Sequence, residues 1–281
     1  MDHHAQPKSQ RRLTRRCDGE SRHVELNQKV VLITGASSGI GKQLALRAAT
    51  EGAKLAICAR TESKLQETQR LCEERGAEVL AMPVDIMDHN ALERFVAAAS
   101  ERFGTIDALI NNAHTITLPA PFLEKTIEDL DVEMRSSVYA YWHLMKLCFP
   151  HMRDHEGAGA SVINFASEAA VTGDALYAPY AASKEAVRGL SRVVAREWGQ
   201  YNIRVNTICP NGMTDNISGG IGWMEDATRE HIERAFVNNP FRRVGDPYED
   251  VAPVVVFLAS DDSRWITGQN IHADGGGLIN A

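Results

Sequence analysis

A tyrosine and a lysine four positions apart, Tyr180 and Lys184, open an amphipathic stretch that runs to about residue 198. On a helix that spacing places both side chains on one face, one turn apart. A phenol, with a pKa of about 10, is a poor base at neutral pH. A neighbouring ammonium favours the phenolate and is expected to lower that value. The pair is therefore suited to proton transfer, although the same spacing also arises by chance on surface helices. Ser167 stands thirteen positions before Tyr180, just after the apolar run Ser161-Val162-Ile163-Asn164-Phe165. A serine at the end of such a run either lines a ligand crevice or caps a turn.

A second group of residues suits phosphate. Thr34-Gly35-Ala36-Ser37-Ser38-Gly39-Ile40-Gly41 follows the apolar run Val30-Val31-Leu32-Ile33 and leads into a helical pattern over 42–50. Gly35 permits the tight turn, Gly39 lets the backbone approach a pyrophosphate, and Gly41 lets the helix pack closely on the strand. The helix N-terminus then offers free N–H groups and the positive end of its dipole. Glycines alone would serve any tight turn, but strand, loop and helix in this order point to a dinucleotide. An acidic residue at the end of the second apolar run would bond the ribose hydroxyls of NAD; this chain has Ala59 and then Arg60. A guanidinium suits a 2′-phosphate. NADP(H) is therefore the favoured cofactor, with Arg60 and Ser37 as phosphate contacts. NAD(H) is the alternative if Arg60 is only a solvated loop charge. An oxidised, positively charged nicotinamide would further favour the phenolate of Tyr180.

The elements that must position these groups are visible as short apolar runs at 30–33, 55–58, 79–82, 108–110, 161–165, 203–206 and 270–273. Helical patterns such as 63–75 and 91–102 lie between them. Near-continuous apolar strands alternating with helices mean a parallel sheet covered on both faces. The fold class is thus α/β, a doubly wound sheet of about seven strands. In such a sheet ligands bind outside the carboxyl ends of the strands, where Gly39, Asn112 and Ser167 all fall. No composition break divides 29–281, which is expected to be a single domain. Residues 1–28 carry Arg11, Arg12, Arg15 and Arg16 and almost no large apolar side chains, and are expected to be a flexible basic extension.

Composition excludes other classes. The net charge of −7 argues against nucleic acid as a partner. No run of about 18 apolar residues is present for a transmembrane helix, and no secretory signal is visible. Five widely spaced cysteines, Cys17, Cys58, Cys72, Cys148 and Cys209, contain no Cys-x-x-Cys pair, so reduced thiols in a cytoplasmic protein are expected rather than disulfides. The ten histidines form no convincing metal-ligand pair, and no metal is expected.

Together these residues resemble the short-chain dehydrogenase/reductase family, in its compact single-domain branch built on a Rossmann fold. The resemblance spans 29–276. Residues 34–41 match the cofactor loop, Asp85-Ile86 the pair that contacts adenine, and Asn111-Asn112-Ala113 the strand-four motif. Ser167, Tyr180 and Lys184 match the catalytic triad. Arg204-Val205-Asn206 and Pro210 match the strand-six segment, and Phe257-Leu258-Ala259-Ser260, Thr267-Gly268-Gln269 and Asp274-Gly275-Gly276 the C-terminal signature. The resemblance implies hydride transfer between nicotinamide and a carbonyl or carbinol carbon. Tyr180 would exchange the proton, Ser167 would bond the substrate oxygen, and Lys184 would hold the nicotinamide ribose. Met213 and Thr214 fall where the family contacts the carboxamide.

Three positions depart from the pattern. His114 replaces a glycine and is expected to be a satisfied structural histidine, with an approach to the substrate pocket as the minority reading. Asn211 replaces a glycine after Pro210. Ser137 stands where the family has its fourth catalytic residue, an asparagine in a water relay to Lys184; a serine can hold a water with different geometry. The stretch 211–245 is expected to be a substrate lid, with 224–238 helical and Ile217, Ile221, Trp223, Met224 and Phe236 as an apolar pocket for a medium-sized ketone or secondary alcohol. Residues 138–142 and the helix after Tyr180 are expected to form faces of a homo-oligomer, a tetramer favoured over a dimer. Two other classes stay open: a weakly active cofactor-binding regulator, and a non-redox isomerase or lyase using the same Tyr–Lys pair.

Overall fold

Both faces of the central sheet are covered, which is why its strands read as almost unbroken Val, Ile, Leu and Ala. The computed structural model describes residues 26–153, 159–212 and 237–279. The strands are β1 (Val30–Thr34), β2 (Lys54–Ala59), β3 (Val79–Pro83), β4 (Ala108–Asn111), β5 (Ala160–Phe165), β6 (Ile203–Pro210) and β7 (Asn270–Ala273). They form one sheet in the order β3-β2-β1-β4-β5-β6-β7, parallel throughout. The expected doubly wound sheet of seven strands is therefore present, and each expected run lies inside an observed strand. The order reverses between β1 and β4, which leaves a crevice at their carboxyl ends.

Alternation along each strand divides the core. Val31 and Ile33 of β1, with Leu55, Ile57, Ile110 and Ile163, face one layer of helices. That layer holds α1 (Gly39–Thr50), α2 (Glu62–Glu73) and α8 (Ala252–Ala259). Val30 and Leu32, with Ala56, Leu109, Val162 and Val205, face the opposite layer, built from α3 (His89–Phe103), α5 (Ala140–Arg153) and α7 (Ala178–Trp198). The short α4 (Ile127–Met134) joins α5 through a π-helical turn, Arg135–Tyr139, and the single-turn α6 (Ala169–Thr172) precedes α7. Local chemistry sets the ends: Asp88 caps α3 by accepting the Ala91 N–H at 3.1 Å, and Gly104 closes it with φ of +82°.

Two buried polar chains pin helices to strands. Asn111 Nδ2 donates to Asn164 Oδ1 at 2.8 Å, Asn164 Nδ2 donates to Ser191 Oγ at 2.9 Å, and Ser191 donates to the Val187 carbonyl at 2.7 Å. β4, β5 and α7 are thus joined through side chains. On the other face, Arg204 of β6 donates to the Leu258 carbonyl at 2.8 Å, Ser263 Oγ at 2.7 Å and the Ser260 carbonyl at 3.0 Å. Burial lowers the Arg204 pKa to about 10, and Asp261 opposes that shift. Arg204→Met should remove these three bonds and destabilise the fold by about 2–4 kcal/mol. The drop would be read as a lower urea midpoint with an unchanged slope.

Candidate active site

The crevice is fastened by Thr34, the last residue of β1. Its Oγ1 accepts the Asn112 and Ala113 N–H groups at 3.1 and 3.0 Å, and its carbonyl accepts Asn112 Nδ2 at 2.9 Å. The start of the glycine loop and the exit of β4 are thereby held side by side. Gly35 has φ of +73° and Gly39 φ of +55°, values that L side chains rarely adopt. A Cβ on Gly41 would lie 2.2 Å from the Gly35 carbonyl oxygen and 2.5 Å from Asn112 Nδ2. The close packing assigned to Gly41 is thus present, although its partner is the loop itself together with β4. Helix α1 starts at Gly39, three residues earlier than its apolar pattern at 42 indicates. Gly39, Ile40 and Gly41 therefore contribute their own N–H groups to the open first turn. Ser38 is the N-cap residue, in extended conformation, and Ser37 beside it is half-buried.

Arg60 follows the last residue of β2, is exposed, and has no ion-pair partner among the described residues. The Asp85-Ile86 pair splits: Asp85 is exposed and accepts the Met87 N–H at 3.0 Å, whereas Ile86 is 7% exposed and packs in the core. Pro210 ends β6 opposite Ala273 of β7. Met213, Thr214 and most of the expected lid, with its apolar candidates and its helix, lie outside the described residues.

Tyr180 sits in the first turn of α7, which begins two residues before it, and Lys184 follows one turn later. Ser167, two residues beyond the end of β5, lies near enough to the Tyr180 phenol to lower its pKa. Its Oγ also accepts the Ala169 N–H at 3.2 Å, so it both caps a turn and faces the site. Lys184 is 1% exposed. Its Nζ donates to the Phe165 carbonyl at 2.9 Å and lies 5.7 Å from the centroid of the Tyr180 ring. The triad is assembled at the carboxyl end of β5.

The electrostatics differ from expectation. Desolvation raises the Tyr180 phenol to about 12, and the nearby Ser167 hydroxyl offsets only part of that shift. The expected lowering by the ammonium is absent because Lys184 is itself desolvated, its pKa pushed down to about 8. The Glu133 carboxylate opposes the shift on Lys184 and adds to the rise on Tyr180. His114 also departs from expectation. Its ring lies 5.6 Å from that of Tyr180, centroid to centroid, and the residue is exposed. Partial desolvation and then the Lys184 charge lower its pKa. It belongs to the site rather than to the core.

Ser137 is buried in the π-helical turn. Two neighbours escaped the sequence analysis. Glu133, buried in α4, accepts the Thr117 N–H at 2.7 Å and the Thr117 hydroxyl at 3.2 Å. Tyr141, also buried, lies beneath the Lys184 Nζ, 5.5 Å from its ring centroid. The available signal was their position four residues before and four residues after Ser137.

Fold and site define a Rossmann-type α/β oxidoreductase. Residues 35–277 match the family model described as enoyl-(acyl carrier protein) reductase. The 12α-hydroxysteroid dehydrogenase of a Clostridium species is 37% identical over 258 residues, 88% of this chain and 96% of that protein. The solved structure of NAD⁺-bound xylitol dehydrogenase superposes with a TM-score of 0.82 at 30% identity, covering 89% of this chain and 99% of that one. That of 7α-hydroxysteroid dehydrogenase with NADH and 7-oxo glycochenodeoxycholic acid also gives 0.82, at 29% identity over 92% and 97% of the two chains. The chain belongs to the short-chain dehydrogenase/reductase family. It is an enzyme that interconverts CH–OH and C=O groups with a nicotinamide cofactor.

The buried ammonium makes a prediction about stability. The folded pKa of Lys184, about 8, lies below the ordinary 10.5. Below pH 8 the folded protein must hold an unfavourable buried charge, at a cost of about 3 kcal/mol. Between pH 8 and 10.5 the unfolded chain keeps its proton while the folded chain loses it, so stability rises with pH through that window. Lys184→Met should therefore stabilise the protein by about 1–3 kcal/mol at pH 7, an advantage that shrinks by pH 10. Thermal melts of both proteins at the two pH values check this.

Proposed function

We propose that the chain is an NADP(H)-dependent oxidoreductase that interconverts a medium-sized, partly apolar ketone and its secondary alcohol, with Tyr180 as general acid and base. The observation that carries the reading is Tyr180 one helical turn before the buried Lys184, whose Nζ lies 5.7 Å from the Tyr180 ring centroid, at the same carboxyl end of the sheet as Ser167 and the glycine loop. The loop suits a dinucleotide, since a Cβ on Gly41 would collide with Gly35 and Asn112, and the first turn of α1 offers unpaired N–H groups. When bound, the nicotinamide supplies or accepts the hydride. Gly35, Ser37, Ser38, Gly39, Ile40 and Gly41 would receive the pyrophosphate, Asn112, Ala113 and Pro210 would line the crevice, and Lys184 would hold the ribose. Ser167 would donate to the substrate oxygen as charge develops there. Tyr180 would give that oxygen its proton in reduction and take it back in oxidation.

Arg60 supports the 2′-phosphate reading, because it stands exposed where an NAD-specific site would place a carboxylate. The NAD(H)-bound relatives support NAD(H) as the second reading. For the substrate, Ile116, Leu118 and Phe122 expose apolar surface on the connection after β4, and the hydroxysteroid-acting relatives fit a partly apolar alcohol. Tyr139 and Trp142 are half exposed, which supports assembly as a homo-oligomer through this face, a tetramer foremost. Cys58, Cys72, Cys148 and Cys209 are free thiols, in keeping with a cytoplasmic location. No helix among the described residues is long and apolar enough to cross a membrane.

Arg60→Ala should weaken NADPH binding by about tenfold or more and leave NADH binding unchanged. Fluorescence titration with both dinucleotides reads this, and equal loss for both, or none, contradicts the NADP(H) assignment. Tyr180→Phe should lower turnover across a panel of ketones and alcohols by about 10²- to 10⁴-fold without loss of dinucleotide binding.

A further inference from the structure

His114 stands where the family pattern has glycine, so this chain adds a side chain to its crevice. The backbone is fastened on both sides of it. Thr34 Oγ1 accepts the Asn112 and Ala113 N–H groups. On the other side the Thr115 N–H donates to Ser136 Oγ at 3.0 Å, and the Ser136 hydroxyl donates back to the Thr115 carbonyl at 3.3 Å. A side chain carried on a clamped backbone is held in one place, as recognition requires. The His114 ring lies 5.6 Å from the Tyr180 ring and the residue is exposed, yet enough protein surrounds it to lower its pKa to about 3 by desolvation, with the Lys184 charge adding to the shift. Exposure and desolvation together put the ring on the wall of the crevice and not on an outer surface.

The surroundings also settle the chemistry of the imidazole. With that pKa the ring is neutral at physiological pH. Its Nδ1 lies 3.5 Å from the Asn112 carbonyl oxygen. A carbonyl only accepts, so Nδ1 carries the single ring proton and Nε2 keeps a lone pair. The ring has no other hydrogen-bond partner among the described residues. Ser167 and Tyr180 bring hydroxyls that can donate to the reacting oxygen; His114 brings an acceptor beside them. Because the Lys184 charge disfavours a second cation at this spot, the group that suits Nε2 is a neutral hydroxyl and not an ammonium.

We propose that His114 Nε2 accepts a hydrogen bond from a hydroxyl on the carbon next to the reacting carbonyl, and so selects α-hydroxyketones, which the enzyme interconverts with vicinal diols. The proposal rests on the ketone–alcohol chemistry assigned to Tyr180 above and names its substrate class. In reduction the hydride pair forms the new C–H bond, the C=O π pair moves to oxygen, and that oxygen takes the Tyr180 hydroxyl proton. The neighbouring hydroxyl keeps its own proton throughout, so His114 recognises the substrate and takes no part in proton transfer. The nicotinamide ribose also carries hydroxyls, and dinucleotide affinity separates that source from the substrate.

The test uses two pairs of ketones that differ by one hydroxyl, acetoin with butanone and benzoin with deoxybenzoin, together with benzoin methyl ether, which keeps the oxygen but cannot donate. The wild type should favour the hydroxyketones by about tenfold or more in kcat/KM over both the parent ketones and the ether. His114→Phe keeps a ring against Tyr180 but has no acceptor, and should bring benzoin and its ether to within about twofold of each other. His114→Gln, whose amide oxygen accepts, should retain part of the preference. Both variants should bind NADPH and NADH within about twofold of the wild type by fluorescence titration. A preference that survives in His114→Phe, a wild type that turns over other ketones but neither hydroxyketone, or a loss of dinucleotide affinity with the preference intact overturns the proposal; the last result would assign the ring to the ribose. If the wild type turns over no carbonyl with either dinucleotide, the reading of the function fails. Calorimetry of benzoin and its methyl ether on the enzyme saturated with oxidised dinucleotide then judges His114 alone: tighter binding of benzoin that vanishes in His114→Phe upholds the contact, and equal binding overturns it.

Discussion

A positive charge held almost entirely out of water governs the organisation of this protein's catalytic half. Lys184 is 1% exposed, and a buried ammonium is costly unless the surroundings supply partners. Those partners come from separate elements: the Phe165 carbonyl from the end of β5, the Tyr141 ring from α5 and the Glu133 carboxylate from α4. Each must be in place for α7 to dock, so the site is built by the same contacts that settle the charge. The result is a lysine poised near neutrality beside a phenol held protonated, an arrangement that stores a proton where the reaction needs one.

The fold was almost wholly legible in the chain. The β-branched runs lie inside the strands because a sheet covered on both faces leaves no polar alternation to confuse the pattern. Element ends were less legible. Helix α1 begins within the glycine loop, since Gly39 and Gly41 contribute no apolar side chain to mark the period. Helix α7 likewise starts ahead of Tyr180, with Pro179 in its first turn, a position that suits proline but leaves no apolar signal.

The site was legible where it depends on spacing and illegible where it depends on environment. Ser167, Tyr180, Lys184 and the glycine loop were visible from their positions alone. The sense of the Tyr180 shift was not, because desolvation is a property of what surrounds a group, and burial here outweighs the neighbouring charge. Glu133 reads in sequence as one more acid on an acidic helix, Ile127–Met134, that also carries Glu128, Asp129 and Asp131. Only the packing shows that it alone among those four acids turns inward. His114 shows a related limit: its ring lies against that of a residue 66 positions away, a distance no local pattern reports.

The side-chain chain from Asn111 through Asn164 to Ser191 has a mechanical consequence. Each amide in it has a donor end and an acceptor end, so the links fit in one direction and at one register only. Sliding α7 by a single residue along β5 would present a carbon where Ser191 Oγ now sits. The helix is therefore keyed to the sheet like a toothed rack. Whatever forces act at its first turn during turnover, the distance from Tyr180 to the strand tips is set about three turns further along, at the buried Ser191.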